Sequence, residues 1–395
     1  MSSTSLDRSL DRPADPGDRR TVKHVNVASD PGIAVVVPTY NEAANIPRLV
    51  ERLAALRATL AQPLELWLMD DRGGDATPDV VRSLRLDWVH LVEREGPRGL
   101  GPAVMEGFER SSRDTVVVMD ADLSHPAERI PELLAALDGG ADMAFGSRYV
   151  PGASIDGAWS WFRRLNSDIA TMLARPFVKL RDPMSGFFAI RRARVMQPDT
   201  FSQIEAIGYK IGLEIAVKTR AQRIDEIPIH FADRTAGESK LRLRTQLQYL
   251  VHLKRLALWM YPERVRIVLF CAVGGAGLVT YVTALTVLAP WFGISVGTVF
   301  SIAIAMFQNY VLNRSVTFYE RRGRGFLAGF LRFAAVCSLG AVVNWLVTTT
   351  TARSFDGVTG GLQLAGVAGA LAGLLFNYLG VRLFVFKRTR PITPG

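Results

Sequence analysis

Residues Thr115–Asp122 read TVVVMDAD, a short apolar run that ends in two aspartates. The earlier stretches Ile33–Val37 (IAVVV) and Leu64–Met69 (LELWLM) have a similar form, and amphipathic segments such as 43–60 lie between them. Continuous apolar strands separated by helices indicate a parallel sheet that helices cover on both faces. The first half of the chain is therefore predicted to be an α/β domain.

Polar residues follow each of these three strands directly. They are Thr39-Tyr40-Asn41-Glu42, Asp70-Asp71 and Asp120-Ala121-Asp122. The carboxyl ends of parallel strands meet at one edge of the sheet, which is where ligands bind in such folds. Two carboxylates two residues apart can face one Mg²⁺ or Mn²⁺ ion, which would offset the charge of a diphosphate. Loop aspartates with this spacing are common by themselves. The prediction of a metal site therefore depends on their lying at the same edge of the sheet as Asp70 and Asp71.

The second half of the chain has a different composition. It contains four uncharged runs of 20 to 24 residues, at 267–289, 291–313, 333–352 and 358–381. About 20 apolar residues are enough to cross a bilayer as a helix. The sequence therefore predicts a domain of four transmembrane helices.

Basic residues are concentrated around these runs. From Pro262 onward there are 12 basic and 3 acidic residues, a net charge of +9 out of +10 for the whole chain. They cluster between the second and third runs and after the fourth, which marks those loops as cytoplasmic. We therefore predict a multi-pass protein of the cell membrane with both termini and the α/β domain in the cytoplasm. This distribution argues against a nucleic-acid partner, because the excess of positive charge does not lie on the soluble domain.

The apolar half also repeats itself. Asn309-Tyr310-x3-Arg314-x3-Phe318 recurs as Asn377-Tyr378-x3-Arg382-x3-Phe386. Because each copy holds two runs, the repeat is parallel rather than inverted. The duplicated Asn and Tyr suit bonding between packed helices, and a role in handling lipid is the alternative.

We predict four regions: a disordered tail (1–30), the α/β domain (31–240), an amphipathic helix (241–264) and the membrane domain (265–390). Leu241–Tyr261 has apolar residues at helical spacing, basic residues opposite and a terminal Trp-Met-Tyr. That composition favours a helix lying in the membrane interface. The alternative is a plain amphipathic surface helix.

Five ordered segments resemble the dolichol-phosphate mannose synthases, a family of inverting family 2 glycosyltransferases. They are Val37–Glu42, Arg98–Gly101, Met119–Pro126, Arg181–Phe188 and Gly237–Leu241. The resemblance covers about residues 33–245 and implies a GT-A fold, a Rossmann-like, mostly parallel α/β sheet. The tail resembles the GtrA-like membrane domain.

The resemblance also implies roles for individual residues. Catalytic roles fall on Asp122, Arg148, Arg234 and Lys240. The nucleotide-sugar site would comprise Pro38, Tyr40, Glu42, Asp70 and Asp71 around the nucleoside, Asp120, Ala121 and Asp122 at the metal-bound diphosphate, and Arg148, Lys210, Arg234 and Lys240 around the phosphates. Asp120 and Asp122 would hold Mg²⁺ or Mn²⁺, and Arg163, Arg164 and Ser185 would receive the phosphate of the lipid acceptor.

Several of these residues have simpler interpretations. Arg163 and Arg164 could face lipid headgroups. Lys210 could form a surface ion pair with Glu214, four residues further along a helix. Asp182, within the fourth segment, could be a turn former alone. His125 is interpreted as a satisfied loop histidine rather than a ligand.

Two motifs depart from the family pattern. The family commonly has Asp-Asp-Asn-Ser after the second strand, and this chain has Asp70-Asp-Arg-Gly73, so Arg72 adds a charge beside the nucleoside pocket. The family's Gln after the paired aspartates is Ser124 here, which bears on the metal contact.

The activity implied is transfer of mannose from GDP-mannose to dolichyl or polyprenyl phosphate at the cytoplasmic face of the membrane. An acceptor phosphate is already an oxyanion, so attack on the sugar needs positioning and cations rather than a general base. One alternative is a UDP-glucose-dependent bactoprenol-phosphate glucosyltransferase. Another is a non-catalytic membrane scaffold or lipid translocator.

Overall fold

The structure, a computed structural model, describes residues 30–155, 161–206, 210–231, 243–318, 325–355 and 360–380. The chain divides into two compact units at Met260 and Tyr261. The first unit contains the α/β domain, and the second contains the apolar helices.

The first unit alternates strands and helices. Its strands are β1 (Asp30–Thr39), β2 (Leu64–Asp70), β3 (Val89–Glu93), β4 (Arg113–Val118), β5 (Met143–Ser147), β6 (Ser154–Ile155), β7 (Phe188–Arg191), β8 (Ile224–Pro228) and β9 (His230–Phe231). Its helices are α1 (Ile46–Arg57), α2 (Thr77–Leu84), α3 (Leu100–Arg110), α4 (Ile130–Asp138), α5 (Trp161–Ala174), α6 (Arg192–Val195), α7 (Pro198–Phe201), α8 (Ile211–Lys218) and α9 (Leu243–Met260). The three strands predicted from the sequence correspond to β1, β2 and β4.

Seven strands form one sheet in the order β3-β2-β1-β4-β7-β5-β8. Strand β7 is antiparallel to both of its neighbours, and the other pairs are parallel. The prediction of a mostly parallel α/β sheet is confirmed. Strand β1 begins at Asp30, inside the predicted tail, and the rest of that tail lies outside the described residues.

Helices cover both faces of the sheet, as the continuous apolar strands predicted. Along β1, Val36 belongs to the core beneath α3 and α8. Its neighbours Val35 and Val37 belong to the core beneath α1 and α4. Successive side chains of a strand point to opposite faces, so both faces of β1 are buried over Ile33–Val37, where every position is apolar.

Helix α9 lies within the amphipathic segment predicted at 241–264, and it belongs to the first unit. Tyr249, Leu253 and Leu256 are buried in the core beneath α3 and α8. Leu250 and Val251 are about half exposed. The helix therefore packs on the α/β domain by one face and leaves apolar side chains uncovered on another.

The second unit begins with α10 (Pro262–Leu312), in which Gly293 has non-helical angles, with φ of 75°. The Thr280 hydroxyl donates to the Gln308 side-chain oxygen at 2.7 Å. In a straight helix these two residues would be about 42 Å apart. Helix α10 is therefore two arms that fold back on each other at Gly293.

A π-helical turn (Asn313–Thr317), α11 (Phe326–Ser354) and α12 (Gly361–Gly380) complete the described part of this unit. In that part, two helical stretches are long and apolar enough to cross a membrane, Pro262–Thr317 and Phe326–Ser354. The first two predicted runs are the arms of the first stretch, and the fourth run corresponds to α12. The count of four crossings stays a prediction.

The first copy of the sequence repeat has a packing role. The Tyr310 hydroxyl donates to the Phe326 carbonyl at 2.8 Å, and its ring contacts Phe326, Phe330 and Phe333 on α11. This is the contact between helices that the packing interpretation expects. The side chains of the second copy, Asn377–Phe386, lie outside the described residues.

Close packing of α3 on β1 gives a test of the fold. We expect Gly107→Ala to lower the free energy of unfolding by about 1–3 kcal/mol, the usual cost of overpacking a core. The reason is that a Cβ on Gly107 would lie 2.4 Å from Val36 Cγ1. The measurement is denaturant unfolding followed by tryptophan fluorescence. Gly96→Ala is the control, because the nearest atom to its added Cβ is 3.7 Å away. Equal stability of the two variants would contradict the packing.

Candidate active site

The predicted polar groups meet at one edge of the sheet. Strands β2, β1 and β4 are adjacent, and their parallel register aligns Thr39 with Asp70 and Val36 with Val118. Asp120 follows Val118 by two residues, so it lies at the same edge as Thr39 and Asp70. We call this edge the carboxyl rim.

Of the two aspartates predicted to bind metal, Asp120 is the one whose carboxylate is better placed to bind a ligand. Its side chain is 32% exposed, and no residue that the structure describes donates a hydrogen bond to its carboxylate. The backbone of Gly186 passes beside it: an added Cβ would be 3.5 Å from both Asp120 oxygens. Asp120 therefore has two carboxylate oxygens available to a ligand at the carboxyl rim.

Asp122 is oriented by Ser124, one of the two departures from the family pattern. The Ser124 amide and hydroxyl both donate to Asp122 Oδ1, at 3.1 and 2.6 Å. Among the described residues, no group of three His, Cys, Asp or Glu side chains could enclose a metal. A hard divalent ion fits such a site, because Mg²⁺ characteristically uses one or two carboxylates and completes its shell with water and phosphate oxygens.

His125 supports this turn from below. Its Nδ1 accepts the Asp120 backbone N–H at 3.0 Å, and its ring stacks on Phe187 at 5.4 Å. Burial lowers the pKa of His125 despite the opposing effect of the Asp120 and Asp122 carboxylates. The neutral ring thus fixes the backbone of a predicted metal ligand. The sequence predicted a hydrogen-bonded loop histidine here, but it did not show that the partner of this histidine is the Asp120 backbone.

Arg148, a predicted phosphate contact, forms a buried two-pronged pair with Asp182. Its Nε and Nη2 donate to the two Asp182 carboxylate oxygens at 2.8 Å each, and its backbone N–H donates to the same carboxylate at 3.0 Å. Asp182 is therefore more than a turn former. Its burial opposes ionisation, but the Arg148 guanidinium outweighs that cost and lowers the pKa of the carboxyl group. A phosphate role for Arg148 stays a prediction.

The Arg181–Phe188 segment is held at several points beside Asp120. Glu226 accepts the backbone N–H groups of Arg181 and Asp182 at 2.9 and 3.0 Å. The Lys210 ammonium donates to the Met184 carbonyl, which brings a predicted phosphate ligand to this segment. Ser185 is buried, and its hydroxyl accepts the Phe187 N–H at 3.2 Å. A contact of Ser185 with the acceptor phosphate stays a prediction.

Glu214 does not have the surface position that an ion pair with Lys210 would require. It is buried on α8, and its Oε1 accepts the Glu205 N–H at 2.7 Å. Its Oε2 has no partner among the described residues. Burial raises the pKa of Glu214 to about 7. No motif marks this residue, so sequence reasoning had no basis for assigning it more than a surface pair.

Asp70 and Asp71, predicted to contact the nucleoside, are engaged within the protein. Asp70 is buried and accepts from the Thr39 hydroxyl and the Arg72 amide, each at 3.0 Å. Asp71 accepts from the Arg94 guanidinium and from the Gly99 amide, the latter at 2.7 Å. Both aspartates order the loops of the carboxyl rim, and direct contact with base or ribose stays a prediction.

The outer part of the rim contains the remaining nucleoside candidates. Pro38 is half-buried at the end of β1, and Tyr40 is exposed with the Arg98 guanidinium 5.9 Å from its ring centre. The Glu42 carboxylate accepts from Asn45 at 2.7 Å. Arg72 pairs with Glu95 at 3.3 Å in a largely exposed position, so a neighbouring carboxylate partly offsets its added charge.

Four predicted site residues cannot be placed fully. Arg163 and Arg164 lie in the first turn of α5, and their side chains are outside the described part of the chain. Arg234 and Lys240 lie in the undescribed stretch 232–242. Their roles stay predictions.

Comparison with known proteins identifies both units. Residues 34–196 match the model of Glycosyl transferase family 2, and residues 269–386 match that of the GtrA/DPMS transmembrane domain. A dolichol-phosphate mannosyltransferase of Pyrococcus furiosus is 35% identical over 326 residues, which cover 80% of this chain and 89% of the relative. The chain belongs to the dolichol-phosphate mannosyltransferase family.

Two further members of the family match a smaller share of this chain. A dolichol-phosphate mannosyltransferase of Saccharomyces cerevisiae is 38% identical over 58% of this chain and 88% of its own length. A polyprenol monophosphomannose synthase of Mycolicibacterium smegmatis is 34% identical over 52% of this chain and 80% of its own length. This member of the dolichol-phosphate mannosyltransferase family is thus a glycosyltransferase with a GT-A-like domain and a membrane domain. The alternative of a non-catalytic scaffold is not supported.

The buried Arg148–Asp182 pair predicts a large loss of stability when one partner is removed. Asp182→Ala should lower the free energy of unfolding by about 3–5 kcal/mol, because it leaves a buried guanidinium without its carboxylate. The folded pKa of Asp182 is lowered, so its contribution is present above the unfolded pKa of about 3.9 and is lost as the pH falls through the folded value. Denaturant unfolding between pH 3 and pH 7 measures both effects.

Glu128→Ala is the matched control. It removes the Arg52–Glu128 pair, whose side chains are 27% and 61% exposed. Exposed pairs contribute about 1 kcal/mol or less. If the two variants lose equal stability at pH 7, the Arg148–Asp182 pair is not the buried contact described above.

Proposed function

We propose that this enzyme transfers mannose from GDP-mannose to a polyprenyl or dolichyl phosphate at the cytoplasmic face of the membrane. The observation that carries the proposal is the open Asp120 carboxylate at the carboxyl rim, with Arg148 and Lys210 on the segments beside it. The names of the relatives support mannose as the sugar and a polyprenyl phosphate as the acceptor. The donor nucleotide and the membrane face are our own proposals.

The donor side of the reaction depends on the two aspartates. Mg²⁺ or Mn²⁺ bound by Asp120 and Asp122 would offset the negative charge of the departing diphosphate. Ser124 holds one oxygen of Asp122 and so orients that carboxylate, and His125 fixes the backbone position of Asp120. Such preorganisation lowers the barrier because the charges need not reorient during the reaction.

The acceptor side needs cations rather than a base. A phosphate monoester is anionic at neutral pH, so its oxygen can attack the sugar carbon without losing a proton first. We propose that Arg163 and Arg164 hold the acceptor phosphate, and that Lys210, Arg234 and Lys240 gather around the donor phosphates with Arg148. Their task is to keep two anionic partners within reacting distance.

Exposed apolar side chains on α5 and α9 of the first unit support the proposal that the enzyme acts at a bilayer. Helices α5 and α9 are neighbours, joined by the Tyr249 hydroxyl donating to the Ala170 carbonyl at 2.8 Å. Both expose apolar side chains that are about half accessible: Leu165, Ile169 and Met172 on α5, and Leu247, Leu250 and Val251 on α9. We propose that this apolar surface of α5 and α9 lies in the membrane interface, which would bring the amino end of α5 to the lipid headgroups.

The metal assignment and the donor nucleotide are tested together. Asp120→Asn should reduce transfer at least about 100-fold, since an amide cannot neutralise the cation. Thermal-shift titrations with GDP, UDP, GDP-mannose and UDP-glucose, with and without Mn²⁺, should show metal-dependent stabilisation by the guanosine ligands in the wild-type chain. Asp79→Asn, at an exposed α2 position, is the control. Stabilisation by the uridine ligands alone would instead favour the glucosyltransferase.

The apolar surface of α5 and α9 predicts a difference between acceptors. Leu250→Glu should slow transfer to a long polyprenyl phosphate in liposomes by about tenfold or more, because insertion of the helix would bury a charge. Transfer to a short, soluble acceptor phosphate should be unchanged, because Leu250 is about half exposed on α9 and is not a residue of the carboxyl rim. Leu86→Glu, also at an exposed leucine, is the control. Equal losses with both acceptors would refute an interface role.

A further inference from the structure

The end of α9 is bonded to one short segment of the α/β domain, residues 203–206, which lies between α7 and α8 in the sequence. The Arg255 guanidinium pairs with the Glu205 carboxylate. The Trp259 indole N–H donates to the Gln203 side-chain oxygen at 2.7 Å. Two polar contacts one helical turn apart therefore join α9 to this segment.

The same segment is also bonded to α8. Glu214 Oε1 accepts the Glu205 N–H at 2.7 Å, so the backbone and the side chain of Glu205 are bonded to different helices. The Lys218 ammonium lies 4.7 Å from the centre of the Trp259 ring, a second link between α8 and α9. The 203–206 segment is thus clamped between these two helices.

The conformation of the segment requires such support. Ala206 has φ of +54°, a left-handed conformation that costs a non-glycine residue free energy and persists when its surroundings enforce it. The Ala206 carbonyl presses on the start of α3: a Cβ on Gly101 would lie 2.5 Å from that oxygen. Displacement of the segment would therefore be transmitted to the Arg98–Gly101 turn.

Both neighbours of the segment belong to the carboxyl rim. The Arg98–Gly101 turn contains the Gly99 amide that donates to Asp71, and Arg98 lies beside Tyr40. Lys210, four residues after Ala206, donates to the Met184 carbonyl beside Asp120. The segment therefore borders the rim on its nucleoside side and on its phosphate side.

We propose that Arg255 and Trp259 are positioning residues for the nucleotide-sugar site. They act through Glu205 and Gln203 on the Arg98–Gly101 turn and on Lys210, and they touch no substrate themselves. Helix α9 is the last helix before the membrane unit in the sequence. Through these contacts, the shape of the donor site depends on the position of α9. The inference rests on the proposed function, because it assumes that the rim binds a nucleotide.

The test measures nucleotide binding to the full chain in detergent, with GDP and UDP as probes in the presence of Mn²⁺. Arg255→Ala and Glu205→Ala should each raise the dissociation constant of the nucleotide about three- to tenfold, within the range found for residues that act on a site without touching its ligand. The double variant should be no worse than either single variant. The exchanged pair Arg255→Glu with Glu205→Arg should recover most of the affinity, which a loss of packing would not allow. Gln248→Ala, at an exposed position of α9, is the control.

Trp259→Phe provides a second measurement, since it retains the ring beside Lys218 and removes the N–H that bonds to Gln203. It should weaken binding in the same direction as Arg255→Ala. Binding is compared at a temperature at which thermal melting shows each variant to be folded. Variants that melt earlier but bind as the wild-type chain does would overturn the inference and leave the proposed function intact. A wild-type chain that binds neither nucleotide would overturn both.

Discussion

The arrangement of the site depends on the buried pair between Arg148 and Asp182. Arg148 follows β5, and Asp182 begins the segment that leads into β7, so the pair joins two parts of the chain 34 residues apart. Through Gly186, that segment sets the position of the backbone beside the Asp120 carboxylate. A buried ion pair stabilises little relative to an apolar pair, but breaking it is costly, and this makes it an effective constraint on geometry. The backbone beside Asp120 is therefore held by the Arg148–Asp182 pair, and the Asp120 carboxylate is not needed to hold it.

The sequence was a good guide wherever the information is local. Mainly apolar runs of five to six residues predicted β1, β2 and β4, because a strand buried on both faces has few polar positions. The shared edge of Thr39, Asp70 and Asp120 followed from parallel pairing alone. The bounds of the helices were less accurate: the segment 43–60 is helical over Ile46–Arg57, because helix ends depend on capping contacts and on neighbours as well as on periodicity.

Long-range pairing was beyond what the sequence could provide. Nothing in a list of residues shows that Asp71 is bonded to Arg94 and Gly99, or that Asp182 faces Arg148. Asp71 and Asp182 both belong to motifs that the family resemblance associates with substrate binding. The structure shows that such motifs also contain residues that form hydrogen bonds and ion pairs within the protein. Glu214 illustrates the same limit. Its spacing from Lys210 suits a surface ion pair, and only its burial on α8 shows that it serves the 203–206 segment instead.

The turn at Gly293 has a consequence for how such a chain can grow. Its left-handed φ lets the two arms of α10 run in opposite directions, so the chain leaves the hairpin on the side where it entered. Copying the whole hairpin therefore keeps the following part of the chain on its original side. Adding a single helix would move that part to the opposite side. The sequence repeat has this form, with two apolar runs in each copy. A returning hairpin is the smallest apolar unit that duplication can add without reversing the rest of the protein.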